Sequence, residues 1–296
     1  MADITVPSAA NRNLARASFL ARQKGGTRSL YEIDIRILFE WCDSMGLDVL
    51  ALKRPHLELF IEYLMGERGN SPVSVQRRIT VIRSFYRLAH SDELVDRDPT
   101  VMLKMPRVRK DPESIAWLEP HEVSRLLDVA AATSPAHHAL IALMSMLALR
   151  VSEACAVRLE DFAEDKAGYP ALLVHSKGGY EDVMPAPIPL LRIRDAAAGE
   201  RTTGPLVTTR AGARQTRNGA YDWTRRLARR AELRSDLHPH SLRHSAITAL
   251  VDSGADILTV MRFARHRDPR FAEHYYRRRD NFDGHGAHAV ARMFSR

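Results

Sequence analysis

The stretch His238–Arg279, HPHSLRHSAITALVDSGADILTVMRFARHRDPRFAEHYYRRR, decides how the rest of the chain is read. If a helix begins near Ser241, His240 and Arg243 stand three residues apart on one face. Leu242, Ile247, Leu250 and Val251 then form the apolar stripe of a helix buried on one side. Gly254 breaks it, and a second short helix through Ile257, Val260 and Met261 delivers His266. Tyr275 follows nine residues later, beside Arg277, Arg278 and Arg279. Two histidines, an arginine and a tyrosine are the parts needed to hold a phosphate and attack it without a metal. The guanidinium grips non-bridging oxygens bidentately, the imidazoles donate hydrogen bonds or protons, and the phenol can serve as nucleophile. A lone His-x-x-Arg is common on solvated helices, so the ordered set carries the weight. His238, His240 and His244 also invite a metal reading, because His240 and His244 are one turn apart. With no HExxH and neither cysteine nearby, no metal site is expected.

The surroundings fit that chemistry. A chain of 296 residues suits two domains, and 45% hydrophobic with 27% charged residues describes an ordinary globular protein. A net charge of +8 is the electrostatic footprint of a polyphosphate partner, though many basic proteins bind none. No apolar run approaches a membrane span, and the N-terminus lacks a signal-peptide core. The two cysteines, Cys42 and Cys155, read as reduced core residues, so a cytoplasmic location is expected.

Three of the first domain's amphipathic helices can be traced in the sequence. Thr27 opens one with Leu30, Ile33, Ile37, Leu38 and Trp41 on its inner face and Gly46 at its end. The next carries Leu57, Phe60, Ile61 and Leu64. Ser71-Pro72, a cap followed by a first-turn proline, launches a third with Val75, Ile79, Ile82, Phe85, Tyr86 and Ala89 inward. Arg77, Arg78, Arg83 and Arg87 lie off that face, each readable alone as solvated surface and together as phosphate contacts. A four- or five-helix bundle over residues 10–98 results. Pro99, Pro106 and Pro112 then mark an extended basic linker, 99–115, carrying Lys104, Arg107, Arg109 and Lys110.

The second domain, 116–296, opens with a helix carrying Val123, Leu126, Leu127 and Ala130. A highly apolar helix then ends its run on Arg150. An arginine directly after Met144, Met146, Leu147 and Leu149 must meet an acid, a phosphate or water, and Glu153 could orient it. Around Lys177-Gly178-Gly179 two β-prone runs form a hairpin whose tip lysine could protonate a leaving oxygen, although turn lysines are usually just solvated. Arg225, Arg226, Arg229 and Arg230 line an amphipathic helix that could face DNA. Residues 286–296 read as a short helix exposing Val290, Met293 and Phe294.

The segment that opened this reading resembles the C-terminal active-site motif of the tyrosine recombinase (phage integrase) family: His-x-x-Arg, a later His, and a Tyr nine residues after it. ALRVSEACAVRLEDF is similar to that family's arginine box, and the resemblance spans nearly the whole chain. It implies a mainly α fold with a small β-sheet, a helical core-binding (SAM-like) domain followed by a mixed α+β catalytic domain. It implies site-specific cutting and rejoining of duplex DNA through a 3′-phosphotyrosine, with no cofactor. By the same resemblance Tyr275 attacks, Arg150 and Arg243 hold the phosphate, and His240 and His266 position groups and move protons. Lys177 acts as general acid and Glu153 as support. Core DNA sites are the implied partner, with a tetrameric synapse, the terminal helix docked on a neighbouring subunit, and accessory proteins or a related recombinase left open. A type IB topoisomerase-like enzyme and a silent DNA-binding regulator are the alternatives; the small helical first domain argues against one and the complete residue set against the other. Three departures stand out. Leu147-Ala148-Leu149 precedes Arg150 where the family usually has Thr-Gly-Leu, Tyr180 and Asp182 replace hairpin basics, and Arg265 replaces the Gly before His266, where a left-handed backbone would cost about 1 kcal/mol.

Overall fold

The computed structural model describes residues 9–108, 116–164, 168–176, 179–266 and 268. The chain divides into two units, 1–110 and 111–296. Among the described residues no helix is long and apolar enough to cross a membrane.

In the first unit the described helices are α1 (Ala9–Ala21), α2 (Gly25–Ser44), α3 (Arg54–Met65) and α4 (Pro72–Ser91). Ser71 caps α4 as expected, accepting from the Ser74 N–H, and Pro72 occupies the first turn, where its missing donor costs nothing. Val75, Ile79, Ile82, Phe85, Tyr86 and Ala89 are all buried, against Leu57, Phe60 and Leu64 of α3 and Ile35, Leu38 and Trp41 of α2. The inner face of α2 differs from the one expected. Leu30 and Ile33 are exposed, because Asp34 turns inward to meet two arginines of α4 while Ile35, Phe39 and Cys42 supply the apolar contacts.

Arg77 and Arg78 both donate to Asp34, which is fully buried, and Arg78 also donates to the side chain of Asn70. Arg78 therefore cannot be the surface phosphate contact its sequence position suggested. Arg83 is half-buried and donates to the Leu103 carbonyl at 2.6 Å, so it too is occupied within the unit, whereas Arg87 is exposed. The same bond corrects the linker. Leu103 and Thr100 are buried on the first unit, and Gln76 donates to the Pro106 carbonyl at 2.7 Å, so the chain stays packed well past residue 99. Arg107 is exposed; Arg109 and Lys110 lie outside the described residues.

The second unit runs α5 (Pro120–Thr133), α6 (Pro135–Met146), α7 (Val151–Ala156), β1 (Phe162–Glu164), β2 (Pro170–Ser176), β3 (Tyr180–Pro185), α8 (Ile188–Ala198), α9 (Arg217–Arg230), α10 (Pro239–Asp252) and α11 (Ile257–Ala264). Every residue from Ala139 to Met144 is fully buried, the signature of a helix enclosed on all sides, and α6 packs against α5, α8 and α10. The sheet is antiparallel in the order β1-β2-β3, with Leu172 paired to both Phe162 and Met184 and Ser176 to Tyr180. The expected hairpin is thus the β2–β3 pair, and β1 adds a strand that the sequence did not announce.

The apolar run into Arg150 is not one helix. It ends at Met146, Ala148 takes φ +49, and a new short helix starts at Val151. Left-handed backbone at a residue with a Cβ costs about 1 kcal/mol. The kink packs Ala148 into a small cluster with Ile247, Val251, Val260 and Ala264, which joins this turn to α10 and α11. Cys42 and Cys155 are both buried free thiols, and burial raises them to about 12 and about 11.

Candidate active site

Arg150 stands just before α7 with extended backbone (φ −66, ψ 150), so its side chain leaves the helix end and remains 42% exposed. Glu153 holds it twice: Oε2 accepts the Arg150 backbone N–H at 2.8 Å and Oε1 the guanidinium at 2.7 Å. The Glu153 side chain is 3% exposed. Burial pushes its carboxyl up, but the Arg150 backbone bond and the charge of Arg265 outweigh that and leave it below the usual carboxylate range.

The α10 helix begins at Pro239, two residues before the expected start. His238 is its cap, accepting from the Ser241 N–H at 3.3 Å while Ser241 Oγ accepts in return, a reciprocal box that occupies His238 structurally. His240 and Arg243 then follow on the first turn. Arg243 is 2% exposed, and its guanidinium donates to the carbonyls of Ala148 and Ala264. Both carbonyls flank left-handed residues or turns, the kink before Arg150 and the end of α11, so one side chain ties the arginine turn to the histidine turn.

His266 follows α11 directly. Arg265 adopts the left-handed conformation (φ 52, ψ 45) that a glycine would take there, and the His266 N–H bonds back to the Met261 carbonyl at 2.9 Å. The turn is therefore of the usual kind despite the substitution. His266 is drawn down to about 4 by burial first, then by Arg243, Arg150, Arg265 and His240. His240 keeps an exposed edge and is also lowered, by desolvation, then Arg243, His238 and Arg150. Both imidazoles are neutral at pH 7, and the cations that depress them are the ones a phosphate would neutralise.

These residues border two adjoining cavities. One of about 920 Å³ is lined by Arg150, Glu153, Ser176, Arg217, Arg265 and His266 among others; a smaller one of about 270 Å³ is lined by Arg150, Arg217, His240 and Arg243. Arg150, Arg243, His240, His266 and Glu153 are thus brought together from the 147–150 turn, α7, α10 and the end of α11. Lys177 and Tyr275 lie outside the described residues; the strands that flank residue 177 bring Ser176 and Asp182 to the larger cavity.

Three cavity arginines, Arg217, Arg262 and Arg265, were missed in the sequence. Arg217 opens α9 after the Thr216 cap, a position that gave no periodic signal. Arg265 was noticed only as a misplaced residue, yet its side chain is 5% exposed and bonded to Glu153 at 2.6 Å. The α9 arginines also divide. Arg225, Arg226, Arg229 and Arg230 are all exposed, but Arg226 and Arg230 line a separate cavity beside the stacked rings of His137 and Trp223.

The phage integrase family model matches residues 116–281. The tyrosine recombinase XerD of Bifidobacterium longum is 30% identical over 260 residues, covering 81% of this chain and 82% of that protein. XerC of Xanthomonas campestris pv. campestris is 29% identical over 274 residues, 90% and 83% of the two chains. Among solved structures, a lambda integrase dimer bound to a COC′ core site superposes with a TM-score of 0.74 at 13% identity, covering 92% of this chain and 95% of that one. The XerH site-specific recombinase bound to palindromic difH substrate gives 0.68 at 15%, covering 97% and 90%. At these identities the structural likenesses speak for the fold.

Proposed function

The chain belongs to the phage integrase family, and from that premise we propose that it is a site-specific DNA recombinase which cuts and rejoins duplex DNA through a 3′-phosphotyrosine. The observation that carries the reading is the convergence of Arg150, Arg243, His240 and His266 on adjoining cavities. In this reading Arg150 and Arg243 neutralise the non-bridging oxygens of the scissile phosphate as charge builds in the pentavalent state. His240 and His266, neutral in the empty site, donate hydrogen bonds and accept or return a proton. The Tyr275 oxygen bonds to phosphorus, the bond from phosphorus to the 5′ oxygen breaks, and Lys177 supplies the proton that the departing 5′-hydroxyl takes. Attack by a 5′-hydroxyl of the partner strand reverses the step, so the phosphotyrosine conserves the bond for religation. The exposed Arg87, Arg107, Arg225, Arg226 and Arg229 are offered as phosphate contacts, and the working assembly is four protomers on two DNA sites, in keeping with the lambda integrase tetramer bound to a Holliday junction.

The test is a nicked suicide duplex that traps the covalent intermediate. Tyr275→Phe should bind DNA and form no adduct, while the neighbouring Tyr276→Phe should still form it. The reverse pattern would move the nucleophile by one residue, and adducts from both variants would refute the tyrosine mechanism.

A further inference from the structure

We propose that Arg265 is a positioning residue of this enzyme: by occupying one oxygen of Glu153 it keeps that carboxylate from chelating Arg150, and so presents the Arg150 guanidinium to the scissile phosphate. The inference rests on the recombinase reading above and concerns how its arginine is held.

Arg265 occupies a backbone conformation (φ 52, ψ 45) that costs a residue with a Cβ about 1 kcal/mol and a glycine nothing. Its side chain is also placed where a charge is expensive, at 5% exposure. Among the described residues its side-chain contacts are with the site's scaffold. It donates to Glu153 Oε2 at 2.6 Å, to Met184 Sδ at 2.7 Å and towards the Leu147 carbonyl at 3.4 Å, and its Nε stands 4.0 Å from Asp182 Oδ2. Its partners lie on β3, on α7 and on the turn before Arg150, while the next residue in the chain is His266. One buried cation thus references the hairpin, the arginine turn and the histidine turn to each other.

The division of Glu153 is the specific point. Oε2 already carries the Arg150 backbone N–H and the Arg265 guanidinium, while Oε1 takes a single nitrogen of the Arg150 side chain and, at 3.4 Å, the Ser176 hydroxyl. A carboxylate facing one free arginine prefers the bidentate fork, with two parallel N–H···O bonds. Without Arg265, Glu153 would close that fork on Arg150 and draw its donors away from the cavity, where the side chain now stands 42% exposed. Asp182 is itself a carboxylate, accepting from Ser176 Oγ at 2.9 Å, so it offers Glu153 no donor that could replace Arg265 in this role.

The experiment measures single-turnover adduct formation on the nicked duplex, DNA affinity and thermal midpoint for wild type, Arg265→Met, Arg265→Lys, Glu153→Gln and the Arg265→Met/Glu153→Gln double variant. Arg265→Met should slow adduct formation by about 10- to 100-fold with affinity changed by less than about 3-fold, the range expected when a group that orients a ligand-binding residue is lost. Arg265→Lys should recover part of the rate, and the double variant should be no slower than Glu153→Gln alone. Wild-type speed in Arg265→Met, or single-variant losses that multiply in the double variant, would overturn the proposal. If Arg265→Met does not fold, Arg265→Gly, which relieves the backbone, is measured in its place with the same expectations. Absence of adduct in the wild-type protein itself would overturn the recombinase reading instead.

Discussion

Two buried carboxylates in this molecule each hold two arginines, and they do different things. In the first unit Asp34, with no exposed surface, receives Arg77 and Arg78; in the second, Glu153 receives Arg150 and Arg265. The residue types are alike, one carboxylate and two arginines, although Asp34 reaches 43 and 44 residues along the chain to its pair while Glu153 takes one partner three residues away and one 112 away. The difference is in what else each group faces. Arg78 spends its remaining reach on Asn70, inside a bundle whose neighbours are apolar. Arg150 opens onto a cavity of about 920 Å³ that it shares with Arg217 and His266. In the proposed reading, a paired arginine is scaffold where its surroundings are closed and acts on the phosphate where neutral histidines and open space adjoin it.

Removing the carboxylate should separate the two most sharply. Asp34→Ala strands one buried and one half-buried guanidinium, so the first unit should lose about 3–5 kcal/mol of stability in urea titration, while the folded fraction still forms the covalent adduct at close to the normal rate. A loss below about 1 kcal/mol would make the Asp34 cluster an ordinary surface pair and erase the contrast.

A second, smaller effect concerns pH. His266 is held at about 4 in the folded protein, well under its ordinary value of 6.5. The unfolded chain therefore binds more protons between those values, so this residue makes stability fall as pH drops from about 6.5 towards 4 and adds nothing further below. Glu153, depressed in the fold, loses its own contribution only below the usual carboxylate range, so the comparison belongs between pH 5 and 7. Thermal midpoints of His266→Gln should decline less steeply than wild type across that window; parallel curves would contradict the half-buried neutral imidazole.

The smallest effect is expected at the kink. Ala148→Gly relieves φ +49 and should stabilise the second unit by up to about 1 kcal/mol, offset in part by the greater entropy of the unfolded glycine. Destabilisation would mean that the Ala148 methyl, packed against Ile247 and Val260, contributes more than its backbone costs.

Much of this was legible in the sequence because it is local. The spacing of His240 and Arg243, the Ser71-Pro72 start and the buried stripe of α4 are set by one helical period and one cap. The failures are tertiary. Nothing within α2 says that Asp34 rather than Ile33 turns inward, because its partners are more than forty residues away on α4. Nor does the run Leu140–Arg150 announce a break, since Ala148 is a good helix former forced into a left-handed turn by its packing on α10 and α11. Arg265 was conspicuous for its strain, but its buried partner lies 112 residues earlier in the chain. The 99–108 segment reads as a linker from its prolines, yet the carbonyls of Pro106 and Leu103 are taken by Gln76 and Arg83.

In the proposed reading Glu153, unlike Asp34, organises an arginine that acts on the phosphate. The most direct test is single-turnover adduct formation by Arg150→Ala and Arg77→Ala, assayed together on one nicked duplex with each variant's folded fraction measured. Arg150→Ala should lose about 100-fold or more, the scale of a single transition-state charge contact, and Arg77→Ala should stay within a few-fold of wild type. Equal losses in the two variants, or an Arg150→Ala protein that cleaves normally, would contradict that reading.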